Sequence, residues 1–412
     1  MLKRNQVLLV LAVLSMITFL DRIAISTASK SIMNELGLTP VQWGWILGVF
    51  TIAYAAFEVP TGFLGDKHGA KKTLARVVIW WSVFTILTGT ASTFAVMLIV
   101  RFLFGVGEAG AYPNSSIVLS KWFPAIERGR AQAVIWGASR IGAALTPFVV
   151  IPIQSRYGWQ SSFYFLGALG FIWVVFWIIW HKERPEDDPK ISAEELTIIK
   201  EHRSIESHSE GKSYWKIFKD SNLLFLLSMY FCYAIGAYFF QSWFHTYLTK
   251  GRNISEQNLL WAASVPYLLA AMGCFFGGFL SDKAVLRYGK TKGRRLVPMI
   301  GLAISGLSII AAALTENNTL SIVLLGLGMA AMDVTAPVAW AVSMDIGGHR
   351  SGTISGTMNT AGLTGAYFST VAFGYLATAY GYHIPVMLVG GIVFMGSLIW
   401  FKIDASKSIS WN

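Results

Sequence analysis

Long apolar runs, nearly free of charge, recur along the whole chain and dominate what it can fold into. Twelve can be marked off, at 5–27, 42–64, 73–92, 94–118, 131–153, 161–181, 221–248, 257–281, 296–314, 317–343, 352–379 and 383–402. A helix of about 20 apolar residues crosses a hydrocarbon core about 30 Å thick. In lipid only helices and closed barrels satisfy their own backbone hydrogen bonds, and runs of this length select helices. Composition agrees. The 412 residues are 54% apolar and 13% charged, with mean hydropathy +0.53, whereas a soluble domain carries about 25% charged residues. The chain reads as an all-α integral membrane protein with twelve transmembrane helices. No small-residue cleavage site follows the first run, which reads as a retained span and not a signal peptide. Cys232 and Cys274 both fall inside spans and suggest neither a disulfide framework nor a metal site.

The net charge of +11 would suit nucleic acid if it formed one patch, but it does not. With the N-terminus inside, only Lys30, Arg156, Lys250 and Arg252 fall on the outer side. Arg22, Arg101 and Arg140 lie within spans, and all other Lys and Arg fall on the inner side. This positive-inside bias puts both termini in the cytosol. The basic balance is therefore topology, with the lipid bilayer and not nucleic acid as the partner.

Residues 183–220 interrupt the apolar pattern with a polar, charged segment. Within it, "SAEELTIIKEH" opens on a Ser N-cap and two acids and predicts a short helix. The segment reads as a solvated cytoplasmic linker between an N-terminal six-helix bundle, 1–182, and a C-terminal one, 221–412. An internal repeat supports the division: "GFLGDK" at 62–67 returns as "GFLSDK" at 278–283, each after the second helix of its half and each followed by basic residues. Two six-helix repeats with a binding site at their interface describe a secondary transporter.

Charges inside the membrane are costly and mark function. They are Asp21, Arg22, Glu58, Arg101, Glu108, Arg140 and Asp333, six of the seven in the first half. At about 1.5 Å of rise per residue, Asp21 and Arg101 come to similar depths, as do Glu108 and Arg140. Two pairs are expected, Asp21–Arg101 and Glu108–Arg140. Adjacent helix residues point about 100° apart, so with Asp21 turned to Arg101, its neighbour Arg22 faces the cavity. There its planar fork suits a carboxylate. Glu58 reads as structural, and the facing of Asp333 stays open. Tyr233, Tyr238, Gln241 and Trp243 could line the cavity or anchor a span end.

"GFLGDKHGAKKTL" (62–74) resembles the loop signature of the major facilitator superfamily, Gly-x-Leu-x-Asp-x-x-Gly-x-Lys-Lys. The longer "AVLRYGKTKGRR" modifies the second copy. The resemblance spans the whole chain and implies the major facilitator fold, two pseudo-symmetric six-helix bundles. In it Asp66 and Asp282 are gate residues whose carboxylates meet a helix N-terminus or an Arg, not substrate ligands. "FLDR" in the first span, with "RFLFGVGEAGAYP" (101–113), is similar to the anion:cation symporter family of that superfamily. That family includes proton-coupled bacterial carriers of galactonate, hexuronates, glucarate and phthalate, and the animal sialic-acid and vesicular glutamate transporters. The resemblance implies that Asp21 and Glu108 are the protonatable carboxylates and that Arg101 is the partner of Asp21. It implies Arg22 as the ligand of the substrate carboxylate and Tyr54 as a substrate contact. "APVAWAVSMDIGG" and "SGTISGTMNTAG" carry over Trp340 and Asn359 as sugar-facing residues. The chain departs from the family at Phe19, where several members have Tyr, and at Arg140, where many have an uncharged polar side chain. Arg140 is either a second anion ligand or the partner of Glu108.

Other classes fit less well. No nucleophile–base set or His/Cys/Asp cluster appears for an enzyme, and no metal or cofactor is called for. A drug exporter would need neither Arg22 nor Arg140. The expectation is a monomeric carrier in a bacterial inner membrane that imports an organic anion with protons by alternating access. A hexonate, a hexuronate or sialic acid is the expected substrate. The alternatives are a uniporter or antiporter of organic anions not driven by protons, or a carrier of aromatic or dicarboxylic acids.

Overall fold

A computed structural model describes residues 2–123, 128–201, 218–347 and 351–407. Among them every regular element is helical. The first half comprises α1 (Lys3–Thr27), α2 (Ser29–Glu35), α3 (Pro40–His68), α4 (Ala70–Thr90), α5 (Phe94–Glu108), α6 (Ala111–Trp122), α7 (Arg128–Tyr157) and α8 (Trp159–Trp180), followed by the short α9 (Ala193–Glu201). The second half comprises α10 (Ser221–Tyr238), the three-residue α11 (Phe244–Thr246) flanked by π-helical turns at Phe239–Trp243 and Tyr247–Gly251, α12 (Glu256–Tyr288), α13 (Lys290–Leu314), α14 (Asn318–Asp333), α15 (Thr335–Gly347), α16 (Ser351–Tyr380) and α17 (His383–Ile399).

Among the described residues, eleven helical stretches are long and apolar enough to cross a membrane. The stretch outside that set is α16, thirty residues long but rich in Gly, Ser and Thr, which lower its hydropathy. Two of the sequence-marked spans are broken. The run 94–118 divides into α5 and α6 at Ala109–Gly110, and the run 317–343 into α14 and α15 at Val334. In each, a side chain caps the start: the Thr93 hydroxyl accepts from the Val96 amide and the Asn317 carbonyl from the Leu320 amide.

Polarity is distributed as a bilayer requires. Large apolar side chains such as Ile99, Ile172, Ile179 and Phe279 point outward, while Ser82, Thr88, Ser139, Ser162 and Ser305 are buried. Small residues let helix backbones approach. A Cβ on Gly142 of α7 would lie 2.4 Å from the Met16 carbonyl oxygen of α1.

Two compact units result, one of residues 1–28 and 49–209, the other of 29–48 and 210–412. Segment 29–48 packs within the second: the Thr246 hydroxyl donates to Ser29 Oγ at 2.9 Å and the Trp45 indole to the Tyr375 hydroxyl at 3.2 Å.

The segment after α8 is not a solvated tether over its described residues. Glu183 accepts the backbone N–H groups of Ala70 and Lys71 at 3.1 and 2.8 Å, at the start of α4. Glu195 on α9 accepts those of Lys3 and Arg4 at 3.0 and 2.9 Å, at the start of α1. Lys3 also pairs with Asp188 at 3.2 Å. Helix N-termini present unsatisfied amides and a positive dipole end, and carboxylates satisfy both. The second unit repeats the device. After α17, Asp404 exchanges two hydrogen bonds with Asn222 of α10, at 2.7 and 2.8 Å, and accepts from the Thr291 hydroxyl of α13 at 2.6 Å. In both units, then, the chain leaving the last long helix clamps the starts of the first and third.

Candidate functional site

The first unit gathers its intramembrane charges around α1. Arg22 Nε donates to Glu108 Oε2 at 3.0 Å, with both side chains nearly out of solvent. Glu108 is the last residue of α5, immediately before the helix break. The Arg22 guanidinium sits over the Tyr54 ring at 4.7 Å, with Phe19, Phe50 and Tyr112 at 5.4, 5.7 and 5.8 Å. Such ring faces attract a cation while leaving the edge of its fork for hydrogen bonds.

This arrangement corrects both expected pairs. Glu108 pairs with Arg22, not Arg140. Asp21 and Arg101 form no ion pair within 4 Å, although Asp21 feels the charges of Arg101 and Glu108. The Asp21 carboxylate is 2% exposed, and the Trp81 indole N–H approaches it without hydrogen-bond geometry. Arg101 instead lies over Phe104 at 4.3 Å and Phe50 at 5.1 Å. Equal depth brings two side chains to one level but does not decide which meet, because each points in its own direction around its helix. Asp21 and Arg22 point apart, but to partners other than those expected: Arg22 meets Glu108 of α5, and Asp21 faces Trp81 of α4.

Arg140 on α7 also lies over the Phe19 ring, 5.6 Å from its centroid. Tyr112 stacks on Trp136 at 4.8 Å and 4°, and its hydroxyl meets Ser15 Oγ at 3.1 Å. Since Ser15 donates to the Ile135 carbonyl, its single proton is used, and Tyr112 is the donor between them. Tyr112 and Trp136 were missed in sequence. The usable signal was Tyr112 four residues after Glu108 within the quoted "RFLFGVGEAGAYP".

In the second unit the Tyr233 hydroxyl donates to Asp333 Oδ1 at 3.0 Å, and Asp333 is fully buried. Tyr233 stacks on Tyr230 at 5.2 Å, and the Trp340 indole donates to the Tyr230 hydroxyl at 3.1 Å. Asp333, Tyr233, Tyr230 and Trp340 therefore form one connected group. Asn359, half-buried on α16, is one turn from the buried Ser355, which meets Ser343 at 2.7 Å. Asp66 and Asp282 lie on α3 and α12, but their side chains fall outside those described. Among the described residues, no group of three or more His, Cys, Asp or Glu is placed to hold a metal.

Membrane-length helices that bury an Arg–Glu pair are the frame of a carrier. Residues 11–370 match the Major Facilitator Superfamily, and the chain belongs to it: it is a multi-pass membrane transporter. It is 32% identical over 399 residues to a probable sulfoacetate transporter of Cupriavidus necator, covering 96% of this chain and 92% of that one. It is 30% identical to a hexuronate transporter of Bacillus subtilis (95% and 92% covered) and 28% identical to a probable galactarate/D-glucarate transporter of Escherichia coli (96% and 94% covered). Among solved structures, a bacterial homolog of the human lysosomal transporter Spinster superimposes with a TM-score of 0.78 at 19% identity, covering 97% of this chain and 96% of that one.

Proposed function

We propose that the protein imports an organic anion together with protons across a bacterial inner membrane, with both termini in the cytosol. The Arg22–Glu108 pair carries this reading. A guanidinium held by a buried carboxylate is a receptor already occupied by an internal anion. Protonation of Glu108 removes that competitor, and the substrate carboxylate takes the vacated fork of Arg22. Binding and protonation are then one linked event, which is what symport requires. Asp21 is the second protonatable group of this unit, with Arg101 as its cationic neighbour, and Tyr54 is a substrate contact. From the second unit, Trp340 and Asn359 are the proposed contacts for sugar hydroxyls. Asp66 and Asp282 act at the gate, and the working unit is the monomer. Sugar acids such as hexonates, hexuronates or sialic acid are the first substrates to test.

A second reading concerns the number of charges on the substrate. Arg22 and Arg140 both pack on Phe19, and the pairing of Glu108 with Arg22 removes the ground for assigning Arg140 to Glu108. Two guanidinium groups around one ring suit a dianion, and relatives are described as carriers of galactarate, glucarate and sulfoacetate. Arg140 is then the second anion ligand.

The test is a thermal-shift and uptake series in purified protein and proteoliposomes, with gluconate against glucarate, glucuronate, sialic acid and sulfoacetate. Ligand-induced stabilisation grows with occupancy. Uptake of the stabilising anion should follow an inward proton gradient and collapse with an uncoupler. Uptake indifferent to the gradient would leave a uniporter or antiporter instead.

A further inference from the structure

We propose that a small cavity between α1, α6 and α7 of the first unit holds the water through which Glu108 releases its proton, with the Tyr112 hydroxyl as the relay between them. The inference rests on the reading of the protein as proton-coupled. Ser15 and Thr18 of α1, with Tyr112 and Ser115 of α6, form the polar lining, and Ile135 of α7 helps to close it. The cavity has room for about one water. Every lining residue is buried except Tyr112, which keeps partial exposure. Tyr112 comes four residues after Glu108, across the helix break. Its ring lies 5.8 Å from the Arg22 guanidinium that Glu108 holds. It therefore stands between the ion pair and the cavity.

The hydrogen bonds of the lining decide what the cavity takes. Ser15 donates to the Ile135 carbonyl at 2.9 Å, Thr18 to the Leu14 carbonyl at 2.9 Å and Ser115 to the Ala111 carbonyl at 2.7 Å. Tyr112 donates to Ser15 Oγ at 3.1 Å. Each hydroxyl carries one proton and two lone pairs. All four protons are thus committed, and the cavity meets oxygen lone pairs. Such a lining takes a donor, and a buried water typically has about 2–4 polar partners. A proton carried on that water is met by acceptors on several sides. The charges that act on Tyr112 are Arg22, Arg140 and Glu108. Once Glu108 is protonated, the two guanidinium groups are left to repel the proton, which favours its passage over its residence.

The cavity lies on the side from which the proton leaves. Thr18 and Ser15 precede Arg22 by about one and two helical turns, toward the start of α1, which is cytosolic in the proposed orientation. Ser115 follows Glu108 toward the end of α6, and Ile135 precedes Arg140 on α7, so all three helices displace the lining the same way. When the substrate has left Arg22, the Glu108 O–H bond breaks and its proton joins the Tyr112 oxygen. The proton Tyr112 already carried turns from Ser15 to the water, and the hydronium passes its excess proton to cytosolic water. Tyr112 ends as it began, Glu108 is again a carboxylate, and nothing is oxidised or reduced. At rest the Tyr112–Ser15 bond keeps the relay turned away from the water.

The experiment uses the full-length protein in proteoliposomes and compares net uptake of the stabilising anion with exchange of labelled for unlabelled anion. Exchange moves the loaded, protonated carrier in both directions and bypasses proton release, whereas net uptake requires it. Thr18→Val keeps the shape and removes a hydroxyl, and adding Ser115→Ala leaves the cavity two acceptors fewer. The double variant should lose about tenfold in net uptake and show a larger solvent isotope effect on it, with exchange and binding affinity close to the wild type. Thr18→Ser, which keeps the hydroxyl, should transport like the wild type. Tyr112→Phe keeps the ring on Trp136 and should slow net uptake as the double variant does. Equal losses of net uptake and exchange in the double variant overturn the proposal, as does undiminished net uptake in it or in Tyr112→Phe. The water is read separately by radiolytic hydroxyl-radical labelling. Leu11 and Leu14, which also line the cavity, should be labelled in the wild type and protected in the double variant, and wild-type protein without that labelling overturns the water site. Failure of the parent reading is distinct, because wild-type flux would then ignore the proton gradient whatever the labelling shows.

Discussion

Replacing Glu108 by Gln keeps shape and hydrogen-bonding capacity while removing the charge that holds Arg22. In the wild type the pair is 3.0 Å long and nearly excluded from solvent, and on the proposed mechanism the substrate carboxylate displaces Glu108 to reach the guanidinium. A hydrogen bond to a charged group contributes about 1.5–3 kcal/mol, or about ten- to a hundredfold in affinity. Gln can still accept from Arg22, which puts the gain at the lower end. At a pH where Glu108 is ionised, the variant should therefore bind the anion about tenfold more tightly than the wild type. The sign follows from linkage. On the proposed mechanism, wild-type binding takes up a proton at Glu108, so affinity should fall as pH rises, by about tenfold per unit for that proton. In the variant the slope of log Kd against pH should be smaller by one. Isothermal titration across a pH series reads both quantities. Concentrative uptake driven by a proton gradient should be lost, while exchange of labelled for unlabelled substrate continues. A variant that binds more weakly, with the wild-type pH slope, would refute competition between Glu108 and substrate for Arg22.

Arg22→Lys keeps the charge but not the fork, and should weaken anion binding at least tenfold by titration, about the worth of one charge-assisted hydrogen bond. Arg140→Gln should cost glucarate about ten- to a hundredfold in affinity and gluconate much less; equal losses would return Arg140 to a packing role. Gly142→Ala places a methyl group against the Met16 backbone, and should lower stability by about 1–3 kcal/mol, the usual cost of overpacking, read as a fall in melting temperature. His181, stacked on Trp177 at 3.8 Å, is held at a pKa of about 3 by burial and then by Lys71, Lys3 and Lys121. The unfolded chain binds its proton near the ordinary value of about 6.5, so stability is fully present above that pH and falls below it by about 1.4 kcal/mol per unit. His181→Phe should flatten the acid side of the melting profile between about pH 6.5 and 5, and an identical profile would refute the assignment.

Helix number, the two-half architecture and the identity of the charged residues were legible in the sequence because burial of charge in lipid is so costly that each exception stands out. Who meets whom was not. Pairing depends on the direction a side chain takes around its helix and on where each helix begins relative to the membrane, and a run of apolar letters specifies neither. Equal depth allowed Glu108 to meet Arg140, whereas the direction of the side chains brings it to Arg22. The helix breaks at Ala109–Gly110 and Val334 were also hidden, since both lie in stretches apolar enough to continue as helix.

Those breaks matter because they set the chemistry of adjacent Asp21 and Arg22. An Arg alone on α1 would need an anion permanently to be stable in the membrane, and would bind substrate without reference to protons. The end of α5 supplies that anion from within, at a residue that can itself be neutralised. The buried pair is then a poor contributor to stability, since desolvation offsets most of its attraction. In the proposed cycle its value is as a choice between two mutually exclusive states, Arg22 on Glu108 or Arg22 on substrate with Glu108 protonated. Asp21, one residue earlier, is turned toward Trp81 and still feels the charge of Glu108. An acid and a base side by side on one apolar helix thus meet two different partners, and in the proposed cycle only the base changes its own.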